Sequence, residues 1–304
     1  MKEDFLSICD LSVKELKKVF DFTKSIKKDP KKYRNYLSGK TLACIFEKQS
    51  LRTRVTFEVG IKQLGGNSIY LAPADISLGK RESVSDVTKN LERWVDGIMI
   101  RTFGHNIVTE MAAASKVPII NGLTDLEHPC QALADFFTVI EHKKKFKGLK
   151  FTYVGDGNNV CHSLMLTAAK LGIEFYAATP KGFEPSKDIF ESALEDAEKT
   201  GAVINIVNDP VEAVTKTDVV YTDVWASMGQ ESETAKRKKI FKDYQVNGKL
   251  MSYAKKDAIF MHCLPAHRGD EVTDEVLDSK QSVVFDEAEN RLHAQKTIMC
   301  MLMK

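Results

Sequence analysis

Glu47-Lys48-Gln49-Ser50-Leu51-Arg52-Thr53-Arg54 lies between two runs of different period. Before it, Leu42-Ala43-Cys44-Ile45-Phe46 is a short continuous apolar run and reads as a buried strand. After it, Phe57, Ile61 and Leu64 fall at i, i+4 and i+7 and stop at Gly65-Gly66, as a helix does. The hydroxyls and guanidiniums therefore sit where a strand turns into a helix. A helix's first turn carries N–H groups without intrahelical partners and the positive end of the macrodipole, so Ser50, Arg52, Thr53 and Arg54 placed there suit a phosphate. Taken alone, the same residues also read as an N-cap with solvated arginines.

Outward from this stretch, strand-like and helix-like runs alternate. Ser12-Val13-Lys14-Glu15 has the form of a capping box ahead of Leu16, Val19 and Phe20, and the lysine-rich residues 24–32 read as a solvated end and loop. Residues 68–71, 97–101 and 117–120 read as strands, residues 84–95 as a helix, and residues 111–115 as the close of another. Arg101 falls at the carboxyl end of its strand, where open α/β sheets bind ligands. His128-Pro129-Cys130-Gln131-Ala132-Leu133-Ala134-Asp135 again follows a strand and leads into a helix through Phe137 and Ile140. Such alternation predicts an α/β fold with parallel sheets flanked by helices.

Lys143-Lys144-Lys145-Phe146-Lys147-Gly148 is the best boundary between two units of this kind. Further strands are expected at residues 151–154, 175–178, 203–206, 219–222 and 259–262, and a last helix over residues 286–303 that packs back on the first unit. The expected domains are residues 1–145 with 287–304, and residues 146–286.

The 304 residues suffice to bury a real core, and 43% hydrophobic with 28% charged residues are globular values. Lys plus Arg number 44 against 42 Asp plus Glu, a net charge of +2, which gives no reason to invoke nucleic acid or an anionic membrane. Met1-Lys2-Glu3-Asp4 has no signal or transit character and no stretch approaches a membrane span, so a cytoplasmic protein is expected. The six cysteines, at 9, 44, 130, 161, 263 and 300, lack Cys-x-x-Cys pairing and read as reduced thiols rather than a disulfide or zinc framework.

Gly155-Asp156-Gly157 after a strand suggests a dinucleotide turn, but Val160 stands where the fingerprint's third glycine belongs. A neutral His128 and the amide of Gln131 on one side of a helix start would suit a carbonyl and an NH2 group, although a lone histidine there is more often structural. Arg101 reads either as a strand-end ion pair or as a carbonyl-polarising donor. Cys263, beside His262, reads either as an inert core thiol or as a nucleophile.

With His262-Cys263-Leu264-Pro265-Ala266-His267-Arg268-Gly269 and Asp223-Val224-Trp225-Ala226-Ser227-Met228-Gly229, these motifs in this order resemble the aspartate/ornithine carbamoyltransferase family, and its ornithine branch in particular. The resemblance runs from Phe5-Leu6-Ser7 to Asn290-Arg291-Leu292-His293. It implies that Ser50, Leu51, Arg52, Thr53, Arg54, Ser77, Arg101, His128, Gln131, Cys263, Leu264 and Arg291 bind carbamoyl phosphate. Asn159, Asp223, Ser227, Met228 and Cys263 would bind ornithine, in a cleft between the domains. Arg101, His128 and Cys263 would be the catalytic positions, and the activated acyl donor makes a covalent intermediate unnecessary.

No metal or organic cofactor is implied, and a homotrimer or multiple of trimers is. Leu51 stands where many relatives have threonine, and Ser77 where a glutamine often reaches the phosphate from a neighbouring subunit. Two other readings stay open: a different amine acceptor such as putrescine, and a relative that binds without turnover.

Overall fold

The computed structural model describes residues 4–76, 78–79, 81–226 and 231–304. Its chain forms two compact units, Met1–Phe137 with Glu289–Lys304, and Thr138–Ala288. The division falls inside a helix, Pro129–Lys143, ahead of the lysine run.

In the first unit, β1 (Thr41–Phe46), β2 (Asn67–Leu71), β3 (Gly97–Arg101) and β4 (Ile119–Leu123) form one parallel sheet in the order β2-β1-β3-β4. Its helices are α1 (Val13–Lys28), α2 (Leu51–Gln63), α3 (Pro73–Ile76), α4 (Val84–Leu91), α5 (His105–Ala114) and the start of α6 (Pro129–Lys143). Interior strands of a parallel sheet are covered on both faces, which is why β1 and β3 read as continuous apolar runs. Ala43, Ile45, Val87, Ile98, Ile100, Met111 and Ile119 make a core on one side.

The register puts Phe46 beside Arg101, and the Glu47 N–H continues the ladder to the Arg101 carbonyl at 2.8 Å. Arg101 is thereby fixed at the sheet edge from which the α2 start emerges. The capping box at Ser12 forms as the sequence predicts. Strand β4 begins two residues later than its apolar run suggests and extends through Asn121-Gly122-Leu123. Tertiary contacts override the loop-like composition there. The Asn121 amide donates to the Leu6 carbonyl at 2.8 Å, and a Cβ at Gly122 would stand 2.6 Å from the sulfur of Met99. Helix α4 closes at Leu91 rather than near Val95, in a turn.

The second unit holds β5 (Lys150–Val154), β6 (Glu174–Ala178), β7 (Val203–Val207), β8 (Val219–Thr222) and β9 (Ile259–His262), a parallel sheet in the order β7-β6-β5-β8-β9. Its helices are α7 (Asn159–Leu171), α8 (Lys187–Thr200), α9 (Pro210–Val214), α10 (Thr234–Phe241), α11 (Gly248–Met251), α12 (Asp274–Leu277) and the start of α13 (Val284–Leu302). Val154 pairs with Thr222 and Thr222 with His262, so the Gly155 turn, Asp223 and Cys263 leave the sheet side by side. Among the described residues no helix is long and apolar enough to cross a membrane.

Helix α13 starts in the second unit and ends in the first. Within the first unit its Met299 lies against α2, where a Cβ on Gly60 would stand 3.0 Å from the Met299 methyl. Gly60→Ala is therefore expected to cost less than about 1 kcal/mol, since a flexible methionine tip yields and alanine favours helix. Gly60→Leu is expected to cost about 1–3 kcal/mol through overpacking. Urea denaturation midpoints of the two variants check the difference.

Candidate active site

Ser50 is the N-cap of α2, its hydroxyl accepting from the Thr53 N–H at 3.2 Å. The cap turns Thr53 inward, where it is 1% exposed. Its hydroxyl oxygen then accepts from Arg291 Nη2 at 3.1 Å and lies 3.5 Å from Arg101 Nη1. Arg291 also donates through Nη1 to the carbonyl oxygen of Gln131, and Gln131 donates through Nε2 to Asp135 Oδ1 at 2.7 Å. Gln295, one turn along α13, accepts from Arg291 Nη2 at 2.9 Å and donates to the Thr56 hydroxyl. Thr53, Arg101, Gln131 and Arg291 thus converge from α2, β3, α6 and α13.

His128, 5% exposed, precedes α6 beside this group. Burial holds its imidazolium form well below the usual range, and the Arg291, Arg101 and Arg52 guanidiniums push the same way. It is a neutral imidazole at pH 7. The Arg54 guanidinium lies 3.6 Å over the Tyr70 ring and pairs with Glu58 at 3.0 Å. Leu51 is 72% exposed.

In the second unit, Asn158 caps α7, its Oδ1 accepting from the N–H groups of Val160 at 3.0 Å and Cys161 at 3.1 Å. That fixes its amide, so Nδ2 donates to Asp223 Oδ2 at 2.8 Å. Cys263 Sγ donates to the other oxygen, Asp223 Oδ1, at 3.0 Å. Asn159 is the first residue of α7, immediately beyond that cap. A carboxylate is the hydrogen-bonding partner that suits an ammonium group.

Gly157 has a use other than a cofactor's. A Cβ there would stand 2.3 Å from the backbone nitrogen of Pro185, and its N–H donates to the Phe183 carbonyl at 2.8 Å. The close approach that the glycine permits is taken by the chain itself.

Among the described residues, one group of metal-type donors, Asp223, His262 and Cys263, has its ligand atoms within 4.8 Å of one another. Both ring nitrogens of His262 are engaged, Nδ1 by the Leu264 N–H at 2.9 Å and Nε2 by Glu271 Oε1 at 3.2 Å. Those bonds commit both ring nitrogens to groups other than the Cys263 thiol.

Two family models cover the chain: the aspartate/ornithine carbamoyltransferase carbamoyl-P binding domain over residues 3–141, and the Asp/Orn binding domain over residues 147–302. The chain belongs to the aspartate/ornithine carbamoyltransferase family. Among its relatives, the ornithine carbamoyltransferase of Carboxydothermus hydrogenoformans is 55% identical over 99% of this chain and 97% of its own. The catabolic ornithine carbamoyltransferase of Thermoplasma acidophilum is 51% identical, with 99% of each chain covered. The solved ornithine carbamoyltransferase of Pyrococcus furiosus matches with a TM-score of 0.96 and 49% identity over 99% of this chain and 96% of that one.

Against the carbamoyltransferase pattern, Ser77, Ser227 and Met228 lie outside the described residues. Sequence reasoning missed several groups that hold the site residues. Lys48 lies 7% exposed within the first motif, pairs with Asp125 and sits 4.3 Å over the Phe103 ring. Asn158 carries Asp223, and an asparagine just before a helix is a cap signal that could have found it. Arg237 donates to Asp156 Oδ2 at 2.7 Å, to the Trp225 carbonyl at 2.9 Å and to Glu233 at 3.0 Å. No local pattern marks it.

A histidine held neutral in the folded state binds a proton only on unfolding, so it makes stability fall as pH drops below the ordinary histidine range near 6.5. The slope is at most about 1.4 kcal/mol per pH unit for one group. Between pH 6.5 and 5, His128→Gln is expected to lose less stability than the unmodified protein, as measured by urea midpoints at each pH.

Proposed function

We propose that this protein transfers the carbamoyl group of carbamoyl phosphate to the δ-amine of L-ornithine, giving L-citrulline and phosphate. The observation that carries the reading is the convergence of Arg101 and Arg291 on Thr53 at a capped helix start, with Gln131 bonded to Arg291. Guanidiniums around a helix N-terminus suit a phosphate, and an amide and a neutral imidazole beside them suit a carbamoyl group. The Asp223 carboxylate, held by Asn158 and Cys263, supports an amino-acid acceptor. The matching family models and the names of the relatives point the same way.

In this reading Ser50, Arg52, Thr53 and Arg291 hold the phosphate, with the Leu51 N–H and Arg54 at its margin. Arg101 and His128 polarise the carbonyl, Gln131 orients the NH2 group, and Cys263 with Leu264 steadies the carbamoyl group and the attacking amine. Asn159, Asp223, Ser227 and Met228 hold the α-amino acid end. The neutral δ-amine attacks the carbonyl carbon, the bond from that carbon to the bridging oxygen breaks, and phosphate leaves with the electron pair. No covalent enzyme intermediate forms, because the donor is already activated and orientation with oxyanion stabilisation suffices. Run forward the reaction makes the citrulline of arginine synthesis, and in reverse it consumes citrulline.

Purified protein should form citrulline from carbamoyl phosphate and L-ornithine, and not from putrescine or L-aspartate in ornithine's place. Arg52→Ala should lower kcat/KM about a hundredfold, equivalent to ~2.7 kcal/mol of charge-assisted hydrogen bonding. An alkyl ammonium is mostly protonated at pH 7, so the rate should climb from pH 6 to 8.5. A flat profile with chemistry rate-limiting, or turnover with putrescine equal to that with ornithine, would defeat the reading. A folded protein that binds carbamoyl phosphate yet turns over no acceptor would make it a binder.

The reading includes a homotrimer or a multiple of one, and a cytoplasmic setting. Leu51, Val55 and Val59 form an exposed apolar stripe on α2, beside Ile69 on the edge strand β2, which supports burial against another copy. All six cysteines are free, as suits a reducing compartment. Val55→Asp should shift the mass measured by light scattering toward the monomer; an unchanged trimer mass would place the interface elsewhere.

A further inference from the structure

The turn that carries Cys263 and Leu264 is held by two groups to which the function above gives no part. Leu264 has φ of +57°, the left-handed region that side chains with a Cβ disfavour. Its N–H donates to His262 Nδ1 at 2.9 Å. A ring nitrogen that accepts carries no proton, so in the neutral imidazole the proton is on Nε2, and Nε2 donates to Glu271 Oε1 at 3.2 Å. The same Glu271 oxygen accepts from the His267 N–H at 2.5 Å.

One carboxylate oxygen therefore ties the two ends of residues 262–267 together, and Cys263 and Leu264 lie between the ties. The near end is fixed a second time: the His262 N–H donates to Glu287 Oε2 at 3.0 Å, whose Oε1 accepts from the Tyr221 hydroxyl at 3.1 Å. His262 and Glu271 are fully buried and Glu287 is 1% exposed, so these bonds form away from water. Outside the turn, Cys263 Sγ meets Asp223 at 3.0 Å.

We propose that Glu271 and His262 are positioning residues that hold Cys263 and Leu264 in the geometry carbamoyl transfer needs, an inference that rests on the function proposed above. Neither touches substrate. Loss of the Glu271 acceptor frees the His262 ring and the His267 end together, and lets Leu264 leave its strained conformation. Misplacement by about 1 Å at a reacting centre costs on the order of a hundredfold in rate.

The test is steady-state kinetics on the full chain, with inorganic phosphate inhibition as a second readout. Phosphate is expected to bind at Ser50, Arg52 and Thr53, which are in the other unit. Glu271→Ala should raise KM for ornithine and lower kcat, so that kcat/KM falls about 30- to 100-fold, with the phosphate inhibition constant within about twofold of the unmodified protein's. Glu271→Gln keeps an oxygen at the Oε1 position and should stay within about threefold.

A folded Glu271→Ala with unchanged kcat/KM would overturn the proposal. So would Glu271→Gln losing as much as alanine, or phosphate affinity falling alongside ornithine's. If Glu271→Ala does not fold, His262→Asn and His262→Leu decide. Asparagine's Oδ1 can accept from Leu264 and should keep more activity than leucine, and equal activity overturns the proposal. An unmodified protein inert toward ornithine would instead sink the proposed function.

Discussion

The hydroxyl of Thr53 is the point on which the first unit's chemistry depends, because guanidiniums from β3 and α13 both turn toward it. Like charges gathered in a partly buried place repel by on the order of 1 kcal/mol or more per pair at protein-like dielectric. The fold offsets that with neutral acceptors and one buried acid: Gln131, Gln295 and Thr53 take the Arg291 donors, and Asp135 receives the Gln131 amide. Guanidiniums gathered in this way around a helix start have the chemistry that suits an anion.

The second unit has the opposite composition at the corresponding edge of its sheet. Asp156, Asp223, Glu271 and Glu287 are all buried near the carboxyl ends of β5, β8 and β9. Burial lifts the Asp156 carboxyl, the nearby Asp223 and Glu233 add to the rise, and the Arg237 guanidinium beside it works against it. Asp223 instead accepts from the neutral donors Asn158 and Cys263. Two parallel sheets of similar design thus carry different side chains past their strand ends, guanidiniums in the first unit and carboxylates in the second.

Much of this was legible in the sequence, and the reason is periodicity. Interior strands such as β1, β3 and β8 stood out as apolar runs because both faces are covered, and α2 because Phe57 and Ile61 repeat on one face. The short helices α9, α11 and α12 span four or five residues each, too few for a period to show. Strand β4 was misplaced by two residues because Asn121 and Gly122 are there for contacts with Leu6 and Met99, far away in sequence. The candidate site follows the same division. Ser50, Arg52, His128, Gln131, Asp223 and Cys263 sit in compact motifs, whereas Arg237, Glu271 and Glu287 act on partners that only folding brings near.

Helix α13 sends Glu287 to the backbone of β9 and, one turn later, Arg291 to Thr53. Arg291 follows the whole of Thr138–Ala288 in the chain, yet it belongs to the first unit. During synthesis from the N-terminus, Thr53, Arg101 and Gln131 would leave the ribosome long before the guanidinium that joins them. The first unit, although made first, would have to wait for the second before it could finish folding, so neither charge cluster is complete in a chain still being made.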